Sequence, residues 1–527
     1  MRFDKTLNQW KFLLGDLKTD VILPHTWNVN GKTMFHRGEA QYETSVWIEN
    51  AFAGKKIYLK FNAVYHTAAV LVNSVPVGGH SRSGYTPFRL DITDAVIFGS
   101  ENRITVRVNN WPGSDMLPYE SKFDWADDGG IIRRVTLEVR EPDGIGYMHV
   151  SEQVTRMENG LADGTLAIRT DTDKPRKIRV YEYGTGKCVA EGSGPTVPFH
   201  DLKMWSFDSP NLYLVTMQTD NDLLEERIGI RTFETKGEKV YLNGREICLK
   251  GCEWMPGSHP DFGMAEPLDH SIRCLRQLKS SGCVFTRFHW QQDDAVFDWC
   301  DENGLLVQEE IPYWGYPKEA TSQQLDIARM QADEMIRFHY NHPSVVCWGV
   351  GNELGGHLDA TIGYVKEMIA YFKMRDPRRL VNYVSNTLSL ASNADRGDAT
   401  LYGDIAMWND YLGLWEKSDD IPAHMARTCS KAAGMPLLIS EFGLCEPRFK
   451  GGDEERSRIL RERLALYKTI PNICGYVWFS LNDYRTHMGE EGEGRLRRRV
   501  HGSTDIFGNE KPSYRLLCSL QNRSPSS

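Results

Sequence analysis

The sequence predicts a multidomain protein made of two successive β-sandwiches followed by a (β/α)8 TIM barrel, the second sandwich immunoglobulin-like. Three observations lead there. Short β-rich runs broken by Gly, Pro and Asn fill residues 1–142, a similar pattern continues over 143–232, and from 233 to 527 apolar strands alternate with helical stretches. At 527 residues with 41% hydrophobic content, the chain is also too long for one ordinary core.

In the first region the strand candidates are Tyr42–Glu49, Lys56–Phe61, Thr67–Asn73, Arg103–Asn109 and Arg134–Val139. Two loops stand out. His80 to Phe88 reads as a return to an edge strand, and Asp124-Trp125-Ala126-Asp127-Asp128-Gly129-Gly130 reads either as a solvated surface turn or as a loop projected toward a neighbouring domain. Residues 143–232 carry turns at Glu158-Asn159-Gly160, Gly184-Thr185-Gly186 and Asp208-Ser209-Pro210-Asn211, and their length suits a small immunoglobulin-like sandwich with no chemistry of its own.

The barrel strands are read at Ile247–Gly251, Val284–His289, Leu305–Ile311, Val345–Glu353, Leu380–Ser385, Ile405–Tyr411, Pro436–Gly443 and Ile473–Asp483. Between most of them lie stretches with apolar residues three and four apart: Asp269–Ser280, Asp294–Asn303, Thr321–His339, Leu358–Arg375 and Glu454–Thr469. Eight such units in about 290 residues match the size of a (β/α)8 barrel.

Two of these strands end in a glutamate, Glu353 after Gly351-Asn352 and Glu441 after Ile439-Ser440. Strand tips at the carboxyl end of such a barrel reach substrate, so two carboxyls there can face one another across its mouth. That pair suits cleavage of a glycosidic bond, one carboxyl donating a proton to the leaving oxygen while the other attacks the anomeric carbon. The alternative for Asn352-Glu353 is a helix N-cap.

Net charge of -9 and a pI near 6.0 argue against a nucleic-acid or anionic-membrane partner. Met1 to Asp16 mixes charges into its apolar residues and no later run is long enough to span a bilayer, so a cytoplasmic protein is expected. The eleven cysteines have no zinc-type CxxC spacing, and Cys300 and Cys347 lack neighbours that would activate a thiol. No metal site and no cofactor are expected.

The chain resembles glycoside hydrolase family 2, which includes β-galactosidases, β-glucuronidases and β-mannosidases. In the first domain the likeness rests on Leu23-Pro24-His25-Thr26-Trp27-Asn28, on Gly84-Tyr85-Thr86-Pro87-Phe88 with Asp91-Ile92-Thr93, and on Gly129-Gly130-Ile131-Ile132-Arg133. In the barrel it rests on Gly349-Val350-Gly351-Asn352-Glu353 and Ile439-Ser440-Glu441-Phe442-Gly443. The resemblance implies an N-terminal jelly roll of sugar-binding type over residues 1–142, an immunoglobulin-like domain over 143–232 and a catalytic barrel over 233–527. It further implies Glu353 as acid/base, Glu441 as nucleophile, and Asn352 on the sugar 2-hydroxyl. Asn409 and Tyr411 would lie beside the nucleophile, Trp478 beneath the sugar ring, and Asp124 would be lent by the jelly roll. His289 lines up with a family histidine, but Arg287 stands one residue closer to it than in the family's Arg-x-x-His and is left without a role. For Tyr411 a barrel-core residue, and for His289 a structural histidine, are the alternatives.

The family's glucuronidases carry Asn-x-Lys before a glycine where this chain reads Arg499-Val500-His501-Gly502. The basic segment Arg495 to Arg499, with Arg485, therefore either faces solvent opposite Glu490, Glu491 and Glu493 or supplies arginines, Arg485 and Arg499 first, to a substrate carboxylate. The first option is the expectation and makes the protein an exo-acting retaining β-galactosidase; the alternative is a β-uronidase. A noncatalytic carbohydrate-binding protein is the alternative from another class. The expected partner is a carbohydrate substrate, and homo-oligomerisation stays open.

Overall fold

The computed structural model describes residues 2–29, 31–317, 319–390, 397–446, 448–486 and 498–522. The N-terminal region is a sandwich of two antiparallel sheets. One holds Phe3–Thr6, Val135–Arg140, Lys56–Phe61 and Phe88–Asp91 in spatial order, the other Leu17–Ile22, Gln9–Leu14, Glu39–Ile48, Ser100–Asn109, Thr67–Val72 and Val75–His80. Alternation makes the sandwich. Along Ser100–Asn109 the side chains of Asn102, Ile104, Val106 and Val108 are buried while Glu101, Arg103 and Arg107 are exposed, which places the apolar set against Trp10, Tyr42, Ile57 and Leu137.

Residues 148–228 form a second sandwich. Its three-stranded sheet is Met148–Glu158, Leu161–Thr170 and Thr196–Lys203, and its four-stranded sheet is Cys188–Gly192, Lys177–Glu182, Tyr213–Gln218 and Leu223–Ile228. Val150, Leu166, Val180, Phe199 and Val215 fill the space between them.

Eight parallel strands then close a barrel: β1 (Leu249–Glu253), β2 (Phe285–Phe288), β3 (Leu306–Glu310), β4 (Val345–Asn352), β5 (Leu380–Ser385), β6 (Ala406–Asn409), β7 (Leu437–Phe442) and β8 (Ile473–Phe479), with β8 pairing back onto β1. Every residue of β4 is buried, as expected of a strand covered by helices outside and side chains inside. The first strand differs from its expected span of Ile247–Gly251. Ile247 pairs with Val240 in a hairpin sheet (Phe233–Lys236, Lys239–Leu242, Arg245–Ile247) that precedes the barrel. The barrel strand consequently starts at Leu249 and reaches Glu253.

The five expected helices fall at Leu268–Ser280, Asp294–Asn303, Ser322–His339, Asp359–Arg375 and Gly452–Tyr467. The second of these shows how local sequence bounds an element: Asp293 accepts from Ala295 N at 3.0 Å as its N-cap, and Gly304 at φ 69° ends it. Two further helices, Ile421–Ser430 and Pro512–Gln521, carry a proline in their first turn and were not expected. Among the described residues no helix is long and apolar enough to cross a membrane, and all eleven cysteines are free thiols.

The first sandwich docks onto the barrel through an aromatic cluster. Tyr65, Tyr85, Phe123 and Trp125 pack with Met255, Trp290, Phe479 and Tyr484. Trp125 stacks on Trp290 with ring centroids 4.8 Å apart, a contact worth about 0.5–1.5 kcal/mol beyond the area it buries. Within the first sandwich, Gly130 allows its strand to pair closely with His25–Thr26, since at φ 151° a Cβ would sit 2.2 Å from the His25 carbonyl oxygen.

Candidate active site

Strands of a closed parallel barrel all end on the same rim. Here that rim collects Glu253 from β1, His289 just past β2, Glu310 from β3, Asn352 from β4 with Glu353 just past it, Asn409 from β6, Glu441 from β7 and Phe479 from β8. At that rim opens a cleft of about 460 Å³ whose walls include Asp124, His289, Glu353, Asn409, Tyr411, Glu441, Arg499 and His501.

Glu353 adopts φ 57°, a conformation that a residue with a Cβ takes at a cost. Its amide donates to Val384 O at 2.9 Å, and the next amide, Leu354, donates to Tyr383 Oη at 2.7 Å, which holds the turn. The pair is no helix cap: the following helix starts at Asp359, capped by Leu358. Asn409 Nδ2 donates to Glu353 Oε1 at 2.7 Å, and Ser440 Oγ donates to Asn409 Oδ1 at 2.8 Å, which fixes the direction of the amide. Burial and the adjacent Glu441 charge push Glu353 up to about 7 against the lowering effect of that Asn409 bond. Near neutrality it can therefore carry a proton.

Glu441 is arranged as its counterpart. Its Oε1 accepts from Arg287 Nη1 at 2.7 Å and its Oε2 from Tyr411 Oη at 2.9 Å. Burial keeps the Tyr411 phenol protonated and able to donate. Tyr411 thus turns into the cleft, not into the barrel core.

Arg287, set aside on its spacing, is the hub of the site. Its fully buried guanidinium contacts Glu253 at 3.3 Å through Nη1, and Glu310 at 3.2 Å and Asn352 Oδ1 at 3.4 Å through Nη2. Two residues apart on a strand means the same face, so a spacing of two is what brings Arg287 and His289 to one side. His289 stacks on Trp125 at 5.6 Å, with Nε2 3.2 Å from Glu253 Oε1 and 3.6 Å from Glu441 Oε1. Burial opposes a charge on this ring, but Glu253 and its neighbours outweigh that and raise its pKa. Asn352 Oδ1 also receives Asn409 Nδ2 at 3.3 Å, while its own Nδ2 is buried without a hydrogen-bond partner. A buried donor left unpaired in this way is uncommon in a folded protein.

Sequence spacing gave no cluster of His and carboxylates, yet Glu253, His289 and Glu441 bring ligand atoms within 4.8 Å of one another. They come from three separate strands, which is why spacing did not find them. Arg287 already lies against both carboxylates, so the positive charge is built into the protein.

The Asp124 loop is no solvated turn. Residues Trp125 to Gly130 are buried, and Asp124 reaches the cleft, where it accepts from Tyr484 Oη at 3.1 Å, Thr486 Oγ1 at 2.8 Å and Arg499 Nε at 3.1 Å. The expectation that the basic segment faces solvent holds at Arg498, which is exposed, and fails at Arg485 and Arg499. Arg485 is 7% exposed and makes two bonds to Asp128, at 2.7 and 3.0 Å, away from the cleft. Arg499 is 8% exposed and lies in the cleft wall. In each case a jelly-roll carboxylate supplies the counter-charge that pulls the arginine inward. Arg495 to Arg497, with Glu490, Glu491 and Glu493, lie outside the described residues.

Trp478 is also placed differently from its expected position under the sugar. It is fully buried, donates from Nε1 to Ser503 Oγ at 2.9 Å and packs edge-on against Phe442. Strand alternation sends its neighbour Phe479 into the cleft instead, beside Trp125, Trp314 and Trp415. Sequence reading also passed over His501, whose ring nitrogens are both buried without a hydrogen-bond partner among the described residues. Burial first, and then the surrounding Arg499, Arg456 and Lys511 charges, lower its pKa well below the usual range.

Comparison with known proteins agrees with this architecture. Residues 11–141 match the glycosyl hydrolases family 2 sugar binding domain and residues 233–465 the family 2 TIM barrel domain. Among curated relatives, a β-glucuronidase of Bacteroides fragilis is 29% identical over 483 residues, covering 83% of this chain and 67% of its own. A β-galactosidase of Thermoanaerobacterium thermosulfurigenes is 29% identical over 538 residues, covering 94% and 71%. In fold, the β-D-glucuronidase structure of Dictyoglomus thermophilum superposes with a TM-score of 0.89 over 99% of this chain and 98% of that one, at 22% identity. Two family domains in their expected order, over a rim that carries Asn352-Glu353 and Glu441, mean that the chain belongs to glycoside hydrolase family 2.

Proposed function

We propose that this hydrolase is an exo-acting retaining β-glycosidase whose substrates are β-uronides, glucuronides foremost. In the first step protonated Glu353 gives its proton to the glycosidic oxygen while Glu441, held by Arg287 and Tyr411, attacks the anomeric carbon. In the second, ionised Glu353 takes a proton from water, which releases the sugar from Glu441 with its configuration retained. The free Asn352 Nδ2 suits a hydroxyl of the bound sugar. Asp124 and Trp125 wall one side of the cleft, which supports binding of a terminal residue.

The observation that carries the uronide reading is the wall formed by residues 499 and 501. Arg499 Nη1 and both His501 ring nitrogens are buried and lack hydrogen-bond partners among the described residues, although Asp124 holds the same guanidinium at Nε. A substrate carboxylate would satisfy the arginine donor by a charge-assisted bond and accept from the imidazole, and its charge would offset the cations crowding His501. A neutral hydroxymethyl group would leave the guanidinium donor unpaired, at a cost of about 1–3 kcal/mol. The β-glucuronidase relative supports the same reading. The test is kcat/KM on nitrophenyl β-glucuronide, β-galacturonide and β-galactoside for the wild type, Arg499→Ala and Arg485→Ala. A uronide preference of about tenfold or more is expected, to be lost in Arg499→Ala and kept in Arg485→Ala if that variant folds. A wild type that prefers the galactoside, or an Arg499→Ala enzyme that still prefers uronides, would overturn it.

A further inference from the structure

Glu253 is a third carboxyl beside the nucleophile, and neither proton donation nor attack uses it. It ends β1 and is fully buried. The charged and titratable groups that face it are Arg287 of β2, His289 just past it, Glu310 of β3 and Glu441 of β7. Arg287 Nη1 reaches Glu441 Oε1 at 2.7 Å and Glu253 Oε2 at 3.3 Å, so one donor group stands between two carboxylates. His289 Nε2 has the same choice, 3.2 Å from Glu253 Oε1 and 3.6 Å from Glu441 Oε1. At 3.2 Å the Glu253 oxygen is nonetheless off-axis and has no hydrogen-bond partner among the described residues. It is an acceptor held in reserve.

The chemistry gives that reserve a use. As the bond from Glu441 to the anomeric carbon forms and the bond to the aglycone oxygen breaks, the electron pair leaves with the aglycone and Glu441 becomes an ester. Its negative charge vanishes and its oxygens become poor acceptors, while the buried Arg287 keeps its charge. We propose that Glu253 is a positioning residue that takes over Arg287 and His289 as Glu441 is esterified, and so stabilises the glycosyl-enzyme and the transition state leading to it. Burial, against the effects of Arg287 and His289, leaves the Glu253 pKa at about 7, so the acceptor becomes fully charged as pH rises through neutrality.

This rests on the retaining mechanism proposed above. The experiment is the rate at which 2,4-dinitrophenyl 2-deoxy-2-fluoro-β-glucuronide, and the corresponding galactoside, trap the enzyme as a mass-tagged peptide containing Glu441, measured from pH 5 to 9. Dinitrophenolate leaves without a proton, so Glu353 need not act as an acid. In the wild type the trapping rate should rise through neutral pH as Glu253 ionises. Glu253→Gln should trap more slowly by about tenfold to a hundredfold and without that rise, whereas Glu253→Asp should keep the rise. A merely structural role would slow trapping equally at every pH. If Glu253→Gln fails to fold, as read by circular dichroism, a Glu253→Asp enzyme without the rise overturns the proposal. So does a Glu253→Gln enzyme with the wild-type pH dependence. Should neither reagent label the wild type at Glu441, the retaining reading itself fails.

Discussion

Asn409→Ala should move the alkaline limb of the pH–rate profile upward. Asn409 Nδ2 donates to Glu353 Oε1 at 2.7 Å, and this bond counteracts the burial that lifts Glu353 to about 7. It stabilises the ionised form, so its removal favours the protonated one and raises the pKa. A hydrogen bond to a charged group contributes about 1.5–3 kcal/mol, and one pH unit corresponds to about 1.4 kcal/mol. Allowing for water entering the vacated space, the limb should shift by about one unit. At pH 8 the wild type would then keep about a tenth of its protonated acid and the variant about half. The plateau should fall as well, because Ser440 and Asn352 lose a partner and the substrate a contact. The assay is kcat/KM against pH on a substrate with a poor leaving group, where proton donation is needed in the first step. A limb that stays in place, or moves down, would refute the argument that Asn409 tunes the acid.

Three further outcomes follow from the same geometry. Glu441→Gly should lose hydrolysis by several orders of magnitude while its circular dichroism stays near that of the wild type, since it deletes the attacking group and little packing, and its melting temperature should fall because buried Arg287 loses a partner. Glu353→Ala should still be glycosylated by substrates with good leaving groups, and added azide should restore turnover on these by attacking the glycosyl-enzyme without a base; equal loss on good and poor leaving groups would exclude its role. Glu353→Gln should stabilise the fold in alkaline solution. A carboxyl raised by burial from 4.5 to about 7 favours the fold fully only below its unfolded pKa, and that advantage is lost as pH rises through 7. The gain in melting stability should therefore be small at pH 5 and reach up to about 3 kcal/mol at pH 8.

The architecture was legible because short alternating β runs give way near residue 233 to strands that alternate with helical stretches, and the two glutamates because they stop apolar runs abruptly. What stayed hidden was lateral. Glu253 and Glu310 touch Arg287 only across neighbouring strands, and nothing in a linear sequence announces a neighbour in a closed sheet. Ile247, read as the start of a barrel strand, was captured by a hairpin, which also moved the strand end onto Glu253. Trp478 and Phe479 illustrate a one-residue ambiguity: both are large and aromatic, and only the pleat decides which enters the cleft. Arg485 and Arg499 read as soluble because their counter-charges, Asp128 and Asp124, lie more than three hundred residues away in the chain.

Those two long-range pairs bear on how the protein can be taken apart. Each joins a jelly-roll aspartate to an arginine from the end of the barrel, and one of them sits in the cleft wall itself. A barrel expressed alone would present two orphan guanidiniums and a bare aromatic face, with the floor of its cleft intact and one wall gone. Nor can the N-terminal module be exchanged freely for another. Positions 124 and 128 form a lock whose key is cut at 499 and 485, so a hybrid enzyme will work only where both halves are carried across together.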